Sequence, residues 1–154
     1  MVYYQVDEGR LSIQSFDDLA KALELKLRWH FREQSSLWAS YIKSKYCIAT
    51  HPSLVQFHYP ASPLWRRLCS IRCIVRPQVH WLIGRGECSF WYDCWLGSYP
   101  LTLYNPTAAS MVPVFFYWQG TVWDGGKLQE VLPSSIVAHI LLIPIYREEL
   151  DLIR

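Results

Sequence analysis

His80-Trp81-Leu82-Ile83-Gly84-Arg85-Gly86-Glu87-Cys88-Ser89-Phe90-Trp91-Tyr92-Asp93-Cys94-Trp95-Leu96-Gly97 places three tryptophans and a Gly-Arg-Gly turn within eighteen residues. Val79, Trp81 and Ile83 alternate onto one face, and Cys88, Phe90 and Tyr92 form a second alternating run. Between them Gly84-Arg85-Gly86-Glu87 has the composition of a tight turn, because glycine accepts the positive backbone angles such turns require. The stretch from Gln78 to Tyr92 is therefore expected to form a β-hairpin. Two strands alone are marginal in water, so the aromatic face must lean on helices.

The residues upstream predict those helices. From Ser15 to about Arg32, Phe16, Leu19, Ala20, Leu23, Leu27 and Phe31 recur at three- and four-residue steps, the period of an amphipathic helix. Ser15 stands three residues before Asp18, a capping-box spacing with Asp in place of Glu, and acids in a first turn suit the helix dipole. Phe16-Asp17-Asp18 is accordingly read as a helix start. The Phe/Tyr-x-Asp-Asp metal turn of reverse transcriptases has a spacer residue that this tripeptide lacks. A second helix is expected from Ser36 to Tyr46, with Leu37, Tyr41, Ile42 and Tyr46 toward the core. Pro52, Pro60 and Pro63 interrupt Cys47–Pro63, and Pro63 suits the first turn of a third helix. There Leu64, Trp65, Leu68, Ile71 and Val75 form the apolar stripe, Arg66, Arg67, Arg72 and Arg76 largely face away, and Pro77 closes the helix.

Downstream, Ser98–Gly120 holds Pro100, Pro106 and Pro113 beside an exposed-looking apolar run from Val114 to Trp118. It reads as a linker with one short strand. Asp124 is the expected N-cap of a short helix reaching Val131, and Pro133-Ser134-Ser135 opens another through about Leu142, ended by Pro144. The expected class is α+β, mainly α: a helical bundle with a small Trp-rich hairpin and a C-terminal helical pair. Along the chain this gives an N-terminal tail at 1–12, a helical region with the hairpin at 13–104, a linker at 105–120 and a short helical segment at 121–154.

With 154 residues, half of them hydrophobic, the chain is long enough to bury a core and unlike a disordered one. It contains no run of about eighteen apolar residues and no signal-peptide pattern at its start, so an intracellular protein with no membrane partner is expected. Five cysteines, Cys47, Cys69, Cys73, Cys88 and Cys94, lack the regular spacing of a secreted scaffold and fit reduced thiols.

The net charge of +2 conceals an asymmetry. Between Lys21 and Arg76 lie ten basic residues, Lys21, Lys26, Arg28, Arg32, Lys43, Lys45, Arg66, Arg67, Arg72 and Arg76, against only Glu24 and Glu33, while both flanks are acidic. A phosphate-facing surface needs such a surplus, and solvated helix faces produce one as well. Arg85 at the turn tip is a further candidate for a nucleic-acid backbone. Trp91 and Trp95 are able to stack bases only if exposed, and burial is the expected fate of both.

Other chemistry finds little footing. Cys69 and Cys73 lie one helical turn apart, but neither a paired Cys-x-x-Cys nor a His-x(3-5)-His accompanies them, so no metal is expected. His30, His51, His58, His80 and His139 sit in no catalytic motif, and no Ser or Cys has a nucleophile elbow. Gly84-Arg85-Gly86 lacks the lysine and the following helix of a P-loop, and no nucleotide or other cofactor is expected.

His80–Gly97 resembles the segment after the polymerase core in reverse transcriptases of plant LINE-type (non-LTR) retrotransposons, which reads roughly W-x-[IV]-G-[NDR]-G-x-x-I-x-F-W-x-D-x-W-L-G. The likeness extends to Asp7–Ser15, Asp18-Leu19, Lys21-Ala22-Leu23, Ser36–Ala39, Lys45-Tyr46 and Ser62–Arg66. Trp123-Asp124, Leu132-Pro133 and Ile143-Pro144 complete it toward the C-terminus. Gly9-Arg10-Leu11-Ser12 departs from the family's Gly-Gly-Leu-Gly. The resemblance implies a thumb- or connector-like helical bundle, with the metal-binding polymerase palm before Met1 and the zinc-binding and ribonuclease H region after Arg154. Such a chain is expected to be a non-catalytic remnant that binds nucleic acid through Lys21, Arg28, Arg32, Lys43, Lys45, Arg66, Arg67, Arg72, Arg76 and Arg85, with other parts of a reverse transcriptase as further partners. The alternative is a protein-interaction module, or a remnant without independent activity.

Overall fold

The computed structural model describes residues 16–33, 36–56, 60–146 and 148–153. The 1–12 tail, the Asp7–Ser15 block and the Ser15 cap lie outside the described residues. The architecture is α+β and mainly α. Helices α1 (Phe16–Glu33), α2 (Leu37–Tyr46), α3 (Pro63–Ser70) and α4 (Arg72–Val75) precede β1 (Trp81–Leu82); β2 (Trp118–Gln119), β3 (Val122–Trp123), α5 (Gly125–Val131), α6 (Ser134–Leu141) and β4 (Leu152–Ile153) follow.

Local chemistry accounts for the helix starts. Ser36 accepts from the Ala39 N–H and Ser62 from the Trp65 N–H, each at 3.2 Å, while Asp124 accepts from the Lys127 N–H at 3.1 Å. Pro63 occupies the first turn of α3. Asp17 and Asp18 lie in the first turn of α1, in helix as read from the sequence.

Two cores result. The helical one gathers Phe31, Ile42, Cys47, Trp65 and Leu68. Trp65 meets Phe31 edge-on at 5.7 Å and stacks on Tyr46 at 4.7 Å. The larger core is built from the tryptophan segment and everything after it, including Phe90, Trp91, Trp95, Leu101, Val114, Tyr117, Trp118, Trp123, Leu128, Val137 and Ile140. A third, smaller cluster of Ile71, Val75 and Val79 packs against Leu25, Trp29, Trp81 and Ile153, and Trp81 also borders the larger core.

Three expectations fail in instructive ways. The hairpin over Gln78–Tyr92 does not form. Instead β1 pairs antiparallel with β4 at the far end of the chain, Trp81 opposite Ile153, and the Cys88 and Phe90 backbone bonds to Val114 and Val112. The reason lies at the glycines. A side chain at Gly84 would collide with the Glu149 carbonyl, and one at Gly86 (φ +73°) with the Trp118 ring, so these glycines admit neighbours rather than reverse a hairpin. The hairpin that does form is β2–β3, turning at Gly120 (φ +65°) and pairing Trp118 with Trp123.

The Val114–Trp118 run is not exposed as a unit. Val114, Tyr117 and Trp118 are buried, and only Phe115 and Phe116 face outward. A 3₁₀ turn over Val114–Tyr117 puts residues three apart on one side, so Val114 and Tyr117 go inward together.

The apolar stripe of α1 is covered only toward its C-terminal end. Phe31 is 1 % exposed, but Leu23 is 58 % and Phe16 88 % exposed. On α2, Ala39 and Ile42 are buried, whereas Leu37 and Tyr41, one step round the helix, stay outside.

Candidate functional site

Arg28 and Arg32 are one turn apart on α1, and Arg72 and Arg76 one turn apart on and just after α4. Arg72, Val75 and Arg76 stand at i, i+3 and i+4 and so share one face, and the 3₁₀ turn over Arg76–Gln78 brings the extended Val79 to the same cavity. Arg72 and Arg76 therefore do not face away as expected. The two pairs meet around a cavity of ≈ 20 Å³, also lined by Ser53, Trp81, Tyr92, Asp93 and Cys94.

Each guanidinium has a distinct setting. Arg28 is 3 % exposed; its Nη2 donates to the Pro52 carbonyl at 3.3 Å and its guanidinium lies 5.2 Å from the Phe31 ring centre. Burial, then the neighbouring Arg32, pulls its pKa down to about 10, which leaves it charged at neutral pH. Arg72 Nη1 donates to the Val55 carbonyl at 2.6 Å. Arg32 forms an ion pair with Asp93 and lies over the Trp81 ring at 5.7 Å.

Asp93 joins the halves of the molecule. Its Oδ2 accepts the Ser89 N–H at 2.9 Å, and its Oδ1 meets both Arg32 and His51 Nε2, the latter at 3.3 Å. Burial would raise its pKa, but Arg32, His51 and the Ser89 N–H outweigh that and hold it at about 2. His51 Nδ1 accepts the Ser53 N–H at 3.3 Å and meets Ser53 Oγ at 2.6 Å, so the network assigns the ring proton to Nε2, facing Asp93. Burial lowers the His51 pKa against the pull of Asp93, and the ring is neutral at neutral pH. A depressed pKa in the folded state contributes stability that is present above the unfolded value and lost as pH falls. Acidification is thus expected to lower the melting temperature in two stages: below about 6.5, as unfolded His51 takes a proton that the folded ring resists, and from about 4 toward 2 through Asp93. Thermal melts across pH check this; His51→Gln is expected to remove the first stage and keep the second.

The Gly84–Cys88 loop is an anion cradle filled by the protein itself. The Gly84 and Gly86 N–H groups donate to Asp151 Oδ1 at 2.7 and 2.8 Å, and the Cys88 N–H to Oδ2 at 2.6 Å. The backbone donors that a phosphate would seek there are taken, and β4 is anchored beside β1 as a result.

The remaining candidates lie elsewhere. Lys21, Lys45, Arg66, Arg67 and Arg85 are exposed, and Lys43 is half-buried in an open groove of ≈ 750 Å³ that it shares with Arg32, His51, Asp93 and Asp151. Arg67 reaches Glu24 of α1 at 3.8 Å, one turn along from Lys21. Lys45 Nζ lies 5.3 Å from the Tyr46 ring that stacks on Trp65, next in sequence to Arg66. Trp91 (0 % exposed) and Trp95 (8 %) have no face free for a base. All five cysteines are free thiols, and burial pushes the pKa of Cys47, Cys69, Cys88 and Cys94 upward, away from thiolate chemistry. Among the described residues no group of three His, Cys, Asp or Glu side chains is placed to hold a metal ion.

Sequence reasoning missed the arginine cavity, although two Arg-x-x-x-Arg pairs were its visible sign. No family model, curated protein or solved structure matches the chain.

Proposed function

We propose that this chain is a non-catalytic, nucleic-acid-binding segment of a LINE-type reverse transcriptase, gripping the phosphate backbone through exposed cations of its helical half. The observation that carries the reading is the exposure of Lys21, Arg66 and Arg67 where α3 meets α1, with Lys45 at the α2–α3 contact. The residue pattern shared with that family supports the choice of nucleic acid over other polyanions. Surface cations at this density act as point charges on phosphates and read no sequence, so binding is expected to be sequence-tolerant and steeply salt-dependent. Arg66→Glu combined with Arg67→Glu is expected to abolish binding to a labelled RNA–DNA duplex at moderate salt while leaving the far-UV circular dichroism unchanged. Binding by the folded double variant as tight as by the parent would sink the reading.

A second reading, a protein-interaction module, is favoured by the apolar side chains on the outside of α1 and α2, with Phe16 88 % and Leu37 92 % exposed. Docking by such a surface responds weakly to salt, which separates the two.

A further inference from the structure

We propose that the cavity between Arg28, Arg32, Arg72 and Arg76 is a binding site for a single phosphate dianion, separate from the exposed basic face. Asp93 is the one carboxylate among the described residues that lines it, and Arg32 already answers that charge. Among the described residues the other three guanidinium groups have no counter-charge at the cavity, and for the buried Arg28 an anion relieves the desolvation cost. The donors are also waiting: Arg28 Nη1 and Arg76 Nε are buried without a hydrogen-bond partner. Carbonyls of Pro52 and Val55 fix the other arms of Arg28 and Arg72, so these planar forks are held in place before any ligand arrives. A water molecule would satisfy a donor but not the charge.

Size and charge define the ligand. At ≈ 20 Å³ the cavity is about water-sized and excludes a base or sugar, so the anion reaches the donors inside it with one oxygen. The charge surplus favours the dianion of inorganic phosphate or of a monoester end over a singly charged phosphodiester within a strand. Both sources present the same group.

The test is thermal melting of the full chain in slightly alkaline buffer, with inorganic phosphate against sodium chloride at equal ionic strength. Each tenfold excess of phosphate over its dissociation constant is expected to raise the melting temperature by roughly 3–6 °C. Arg28→Met and, separately, Arg76→Gln are expected to lose that rise. Arg28→Met is expected to melt no lower than the parent in chloride, since it removes a buried unpaired charge, so its lost response is not lost folding. The Arg66→Glu, Arg67→Glu variant is expected to keep the rise, which separates this site from the exposed face. An equal rise in chloride, or an undiminished rise in both cavity variants, overturns the proposal. Oligonucleotides with a 5′-phosphate or a 5′-hydroxyl then distinguish the sources: about tenfold tighter binding of the phosphorylated strand assigns the site to a nucleic-acid end, and equal binding assigns it to free phosphate.

Discussion

Trp91→Ala is expected to lower stability by about 3–5 kcal/mol, a large share of what a domain of this size has to lose. Trp91 is fully buried, and Phe90 beside it meets the Trp91 ring edge-on at 5.1 Å and stacks on Tyr117 at 3.9 Å. The segment around it is not a strand in a sheet, so few backbone bonds hold it once the ring is gone. Its bonds run singly, Phe90 N–H to the Val112 carbonyl and Thr102 N–H to the Trp91 carbonyl. Chemical denaturation followed by far-UV circular dichroism reads the loss. A variant that unfolds at the parent's midpoint would show that the C-terminal core is not organised around this ring.

Asp93→Ala is expected to cost a similar amount, about 3–5 kcal/mol, for an electrostatic reason. Removing this carboxylate strands Arg32, 10 % exposed, beside three other arginines and releases the Ser89 N–H. Arg32→Met alone leaves Asp93 buried against a neutral His51. The double variant is expected to recover part of the combined loss, because neither charge is then left alone. A double-mutant cycle by urea denaturation measures this coupling. Strict additivity would show that the pair does not act as a unit.

Helix starts were the part of the fold most open to sequence reasoning, since Ser36, Ser62 and Asp124 act through their own local backbone. Apolar periodicity located the helices but not which turns would be covered. Phe16 and Leu23 continue the stripe of Phe31 in spacing, yet they extend beyond what α2 and α3 pack against. The hairpin was misplaced because alternation and glycine describe the tryptophan segment and Trp118–Trp123 equally well. What decides between them is the C-terminal chain, where Asp151 claims the Gly84–Cys88 amides and β4 takes the edge of β1, contacts spanning more than sixty residues. The same distinction governs the basic residues. Counting charge identified the basic half but not which arginines turn inward. That depends on Val75 and Val79 packing beside the half-buried Arg72 and Arg76, which line one cavity with Arg28 and Arg32.

The central claim is phosphate-backbone recognition by the exposed cations. Its most direct test is binding of the purified chain to a labelled RNA–DNA duplex across a salt series, with circular dichroism of the same sample. The account predicts folded protein whose log affinity falls linearly with log salt, with a slope of roughly −3.6 for about four phosphate contacts. Folded protein that does not bind, or binds with no dependence on salt, would contradict it.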